Sequence, residues 1–148
     1  MATTISNATL TVKIIESVVL NGQNQGASNT LTISSIDEVY KRIVECPTSE
    51  KTLISFDATN PGAGTFVEAN TRYIRITNKD DTNYIKLNIE GDSSTDFTVR
   101  VDAGASFIIT GSVVDYGDIS GATLEDLTAI KCTANSAAVD VELFIASV

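Results

Sequence analysis

RYIRITNKDDTNYIKLNIEGDSSTDFTVRVD, residues 72–102, decides the fold class. Apolar and polar residues alternate through three runs, and turn-forming stretches separate them. Ile74 and Ile76 point one way, as do Ile85, Leu87 and Ile89, then Phe97, Val99 and Val101. A period of two puts such residues on one side of a pleated strand. The three runs therefore read as an antiparallel meander with a buried side and a wet one. The wet side carries Arg75, Lys86 and Arg100, with Tyr73 and Tyr84 beside them. Tyrosine and arginine are enriched at interface centres. These five residues are the expected interface, with an ordinary solvated sheet face as the alternative.

Outward from this stretch the same signals recur. Strands are expected at 9–20, 72–78, 84–89, 97–102, 106–110, 127–133 and 138–146, with shorter ones starting at Leu31 and spanning Thr52–Phe56. In TLTVKIIESVVL the alternation slips at Ile15, which suggests a bulge or bend. NGQNQGASN, 21–29, reads as a polar loop. Residues 35–46 are open to two readings. Ser35 and Glu38 resemble a helix capping box, but the β-branched residues and neighbouring strands favour a strand through 39–46. The core is expected to include Ile74, Ile76, Ile85, Leu87, Val99, Val101, Val141 and Leu143. Nine or ten short strands with no linker or repeat, 1–148, give one all-β domain. An antiparallel two-sheet β-sandwich, jelly-roll-like, is the natural solution.

Composition narrows the function. There is no histidine and no tryptophan. The first absence removes the usual general base and the commonest zinc ligand. The net charge of −9 argues against nucleic acid as a partner. That charge is uneven: residues 1–89 hold nine acids and eight bases, and 90–148 hold ten acids against Arg100 and Lys131. Complementary docking between copies, basic face to acidic part, is one expectation from this asymmetry. The opening MATTISNATLTV lacks the pattern of a signal peptide, and no apolar run approaches the roughly 20 residues that span a bilayer. No membrane is expected, and synthesis in the cytoplasm is.

Candidate chemical sites are weak. Asp80 and Asp81 could bind a hard cation, as could Asp92 and Asp96, or Asp115, Asp118, Glu125 and Asp126 in the loop 111–126. Asp and Asn in such loops more often bond their own backbone, and the EF-hand spacing is absent. Cys46 and Cys132 fit no metal or redox spacing and read as two buried free thiols. No nucleophile–base pair or phosphate-binding glycine loop is visible. The expectation is no catalytic residue, no metal and no cofactor.

The string RYIRITNKDDTNYIKLNIEG, followed by VDAGASFIIT, resembles a pattern in small virion proteins of tailed bacteriophages, marine and cyanobacterial phages among them. The hairpin corresponds to Arg72 through Ile85, and the turn into the next strand to Asp102 through Phe107. PTSEKTLISF, 47–56, and the terminal alternating strand are also similar. The resemblance implies a virion structural protein, with a capsid decoration or cement subunit as the first expectation. Its partners would be copies of itself and other virion proteins, the major capsid protein included. A head–tail joining or tail protein is the alternative. A carbohydrate- or receptor-binding β-sandwich module is a further one.

Overall fold

In the computed structural model, which describes residues 6–92, 96–112, 114 and 124–148, strands follow one another with only a single turn of 3₁₀-helix at Glu68–Asn70. The strands are β1 (Ala8–Ile15), β2 (Val19–Leu20), β3 (Gln23–Asn24), β4 (Ser28–Ile36), β5 (Glu38–Cys46), β6 (Lys51–Phe56) and β7 (Thr65–Phe66). They continue as β8 (Thr71–Asn78), β9 (Ile85–Gly91), β10 (Phe97–Val101), β11 (Ser106–Thr110), β12 (Leu127–Ala134) and β13 (Val139–Ser147).

Two sheets pack face to face. One runs β11-β8-β13-β5, the other β10-β9-β12-β6-β7. Leaving aside the two-residue β7, the eight strands from β5 to β13 pair first with last, second with seventh, third with sixth and fourth with fifth. That is the wrapping of a jelly roll, a long double ribbon rolled until its two halves face each other. The expected two-sheet all-β sandwich is what the chain adopts. The strand expected through 39–46 is β5, and the helical alternative for 35–46 is excluded.

One inference from the deciding stretch is corrected. The runs at 72–78, 84–89 and 97–102 are strands, but not a meander. β8 pairs with β11 and β13, whereas β9 pairs with β10 and β12 in the other sheet. The turn at 79–84 carries the chain across the sandwich. Alternation shows which side of a strand is apolar and leaves its neighbours undetermined.

The core lies between the sheets. Ile74 and Ile76 from β8 and Val141, Leu143 and Ile145 from β13 meet Ile85, Leu87 and Ile89 from β9 and Ile130 from β12, each at most 1% exposed. Val101 is buried too, but Val99 is only half-buried and Phe97 is 41% exposed. β10 is an edge strand, so its residues are flanked on one side only. Asn78, fully buried, is satisfied at this depth: its side-chain amide donates to the carbonyls of Asn83 (2.8 Å) and Val101 (3.2 Å).

Residues 8–36 stand apart from this roll. Among the described residues β1 pairs only with β4 and β2 only with β3, so a two-stranded ribbon extends from the body.

Candidate functional site

The ribbon is the most distinctive surface of the molecule. Its tip is Asn21-Gly22, with φ of 50° and 77°. Positive φ at both central residues is the two-residue turn whose twist suits a hairpin, and Asn-Gly is its preferred sequence. Between tip and shaft the ladder is irregular but continuous. The Gln25 amide donates to the Val18 carbonyl at 2.9 Å, and the Glu16 amide to that of Ala27 at 2.8 Å. Gly26 is required here: a Cβ on it would lie 2.2 Å from the Glu16 carbonyl oxygen. At the root, Ala8 faces Ile36 and Leu10 faces Ile33, so β4 carries one extra residue there. Ser35 takes a left-handed φ of 62° within that bulge. A bulge of this kind bends its strand and sharpens its twist.

One face of the ribbon is apolar. Leu10 lies opposite Ile33, and Val12 opposite Leu31, with Ile14 next along the same side. At the root this face covers the outside of the β11-β8-β13-β5 sheet. Leu10, Val12, Ile33 and Ile36 pack on Tyr73, Phe144 and Ala146, and the two rings meet edge to face at 5.9 Å. Toward the tip the body falls away and the apolar residues continue. Ile15 and Val19 are each 70% exposed and Leu20 is 63%. Ile14, Val18 and Leu31 are exposed as well. Both long edges of the ribbon lack a pairing strand among the described residues. Natural edge strands are usually blunted by proline or several charges. Residues 8–36 contain no proline, and their only charges are Lys13 and Glu16.

The apolar strip under the ribbon's root also continues sideways. On β5, Val39 pairs with Ala146 and Ile43 with Glu142, which puts both on the same outer face as Phe144. Both are more than half exposed. Between them Lys41 reaches toward Glu142, at 3.8 Å.

The five residues expected to form one interface are split between opposite faces of the sandwich. Tyr73 is 4% exposed, sealed beneath the ribbon. Arg75 is on the same outer face and already engaged. Its guanidinium donates to the Glu142 carboxylate at 2.6 Å and to the Thr77 hydroxyl, and lies 5.9 Å from the Phe144 ring centre. Arg75 holds the Glu142 carboxyl below the usual range. Lys86, Arg100 and Tyr84 belong to the other sheet's side of the molecule. Lys86 and Arg100 are direct cross-strand partners on β9 and β10. Arg100 stacks 3.9 Å over the Tyr84 ring and pairs with Asp102 at 2.6 Å. The continuous basic stripe therefore does not exist, and the arginines are neutralised by acids of their own chain. Sequence reasoning missed the ribbon because it treated 21–29 as a plain loop. The signal was present: Asn-Gly between two apolar runs is the strongest local hairpin mark.

The acidic turns behave as turns. The Asp80 carboxylate accepts the amides of Thr82 (2.7 Å) and Asn83 (2.6 Å). Asp57 accepts those of Thr59 (2.8 Å) and Asn60 (3.2 Å). These bonds hold both carboxyls below their usual range. Asp115 and Asp118 lie outside the described residues. No cluster of three or more potential metal ligands occurs among the described residues. No described helix is long and apolar enough to cross a membrane.

Comparison with protein-family models, curated proteins and solved structures gives no match to this chain.

Proposed function

We propose that this chain is a structural subunit of a bacteriophage particle, a capsid decoration or cement protein that docks through its hairpin arm onto neighbouring subunits. The observation that carries the reading is the arm itself. It presents exposed Ile15, Val19 and Leu20, has no strand on either edge among the described residues, and is almost uncharged in a chain of net charge −9. An isolated two-stranded hairpin is marginally stable in water. A chain that builds one with apolar sides gains most when another subunit covers it. The body gives the arm a rigid base, and repeated copies of such a contact add buried area across a shell. The jelly roll is a common fold of viral shell proteins, which is an analogy at the level of fold alone. The resemblance of Arg72–Ile85 and Asp102–Phe107 to phage virion proteins points the same way.

Two measurements test this. Quantitative mass spectrometry of purified particles should find hundreds of copies. About a dozen or fewer would move the chain to a connector or tail, and none would end the virion reading. The second is the triple variant Ile15→Asp, Val19→Asp, Leu20→Asp. All three positions are exposed, so the body should keep its fold by circular dichroism while self-association or particle binding, followed by sedimentation, is lost. Identical sedimentation of variant and wild type would remove the arm from the mechanism.

A further inference from the structure

Cys46 and Cys132 are 86 positions apart in the chain and are its only cysteines. The fold brings them together. Cys46 is the last residue of β5, in the four-stranded sheet, and Cys132 lies on β12, in the five-stranded one. The short turn 47–50 crosses between the sheets and pins itself to β12. Lys51, just past the turn, is the cross-strand partner of Cys132. The Ala134 amide donates to the Pro47 carbonyl at 2.8 Å. Both side chains point into the same core cluster, at 0% and 1% exposure. There the Cys46 thiol donates to the Pro47 carbonyl at 3.9 Å, the same carbonyl that accepts the Ala134 amide two residues past Cys132. Both cysteines are free.

We propose that Cys46 and Cys132 are a latent cross-sheet disulfide, closed by exchange with a small-molecule disulfide such as oxidised glutathione. The Cys46 sulfur attacks one sulfur of the reagent, breaking its S–S bond and releasing one glutathione thiolate, which takes up a proton. The Cys132 sulfur, losing its own proton, then attacks Cys46 in the mixed disulfide. The Cys46–Cys132 bond forms and a second glutathione leaves. Two protein thiols are oxidised and one disulfide is reduced to two thiols. The order of attack follows from the pair's asymmetry. The neighbouring Cys132 thiol, with help from Lys51, holds the Cys46 thiol below its usual value, whereas Cys46 and then burial raise Cys132. The route in is the turn, where Thr48, Ser49 and Glu50 are exposed. Opening of that turn limits the rate.

Closure would tie the first strand of the roll to the seventh. A bond that closes a long loop restricts the unfolded chain most. The reduced protein would fold freely, and the oxidised one would resist unfolding.

The test uses the full chain incubated with oxidised glutathione, then denatured and treated with N-ethylmaleimide. The expected product is a monomer whose intact mass shows no maleimide and no glutathione, with a Cys46–Cys132 linked peptide after digestion. Its thermal midpoint should rise by roughly 10 °C, and a reductant should reverse the rise. The Cys132→Ala variant should stop at a single glutathione adduct on Cys46. Two maleimide-labelled thiols after prolonged incubation with wild type would overturn the proposal. So would accumulation of glutathione adducts or disulfide-linked dimers, or a lowered midpoint in the linked monomer.

Discussion

Tyr73 and Ile74 are adjacent in β8, equally hidden and on opposite faces, so truncating each should damage a different part of the molecule. Tyr73 is 4% exposed beneath the arm, against Phe144 and Ala146, and Ile74 is 0% exposed between the two sheets. A buried aromatic side chain removes about 150–250 Å² from water, which at about 25 cal/mol per Å² gives roughly 4–6 kcal/mol as an upper bound. Core truncations of aromatic residues cost about 3–5 kcal/mol, and of isoleucine about 2–5 kcal/mol. The two costs are similar and their locations are not. In Tyr73→Ala the arm can lift off and leave the roll intact, since no described strand of the body pairs with it. Each 1.4 kcal/mol is a factor of ten, so a loss of about 3 kcal/mol should speed amide exchange in β1 and β4 on the order of a hundredfold. Amides of β9 and β12 should change far less. Ile74→Ala should instead lower the protection of both sheets together and shift the urea midpoint. Native-state hydrogen exchange read by NMR or mass spectrometry decides between these patterns. If Tyr73→Ala accelerates β9 and β12 as much as β1 and β4, the arm is not a separate unit. If it leaves β1 and β4 unchanged, the root is not the anchor described.

Two further outcomes follow from specific contacts. Gly26→Ala would force a Cβ to 2.2 Å from the Glu16 carbonyl oxygen, so the ladder must part there; exchange protection should fall from Val18 to Gln25 and persist at the root and in the roll. Glu142 is held below the usual carboxylate range first by Arg75, so its stabilising contribution is full above about pH 4.3, its unfolded value, and fades as pH falls through the lower folded value. Unfolding free energies measured by urea titration from pH 6 to pH 2 should therefore fall less steeply in Glu142→Gln, by about 1 kcal/mol or less, since the pair is only partly sheltered from water.

How much of this was legible in the sequence follows from what each signal encodes. Burial was legible wherever alternation was clean. Ile74, Ile76, Ile85, Leu87, Val101, Val141 and Leu143 are all buried as expected, because a strand between two layers must send every second residue inward. Strand neighbours were not legible. Residues 79–84 look like a hairpin turn because Asp80 organises them as one, yet they connect two sheets. In a jelly roll the long-range pairings, such as Glu38–Cys46 with Val139–Ser147, are set by how the two layers close on each other. The five interface candidates do not share one face for the same reason. Placing Arg75 beside Lys86 required β8 beside β9, and with that pairing gone the stripe divides. Tyr73 was misread because alternation predicts only two environments, core and solvent. The arm adds a third layer over the wet face and buries Tyr73 from outside.

The arm also reverses the electrostatic argument for assembly. With acids in excess over bases by nine, like copies of this body repel. Charge complementarity was expected to overcome this, but Arg75 and Arg100 are spent on Glu142 and Asp102 within the chain. The arm avoids the difficulty. From Ala8 to Ile36 it carries Lys13 and Glu16 and nothing else charged, so it can approach an acidic neighbour with little Coulombic cost. Its affinity would then come from apolar area and from ladder bonds along its open edges, both of which salt leaves largely intact. On this reading, assembly in 1 M salt should be as strong as at low salt or stronger, because screening weakens only the repulsion between bodies. Dissociation of assemblies on adding salt would mean that ion pairs, and not the arm, hold them together.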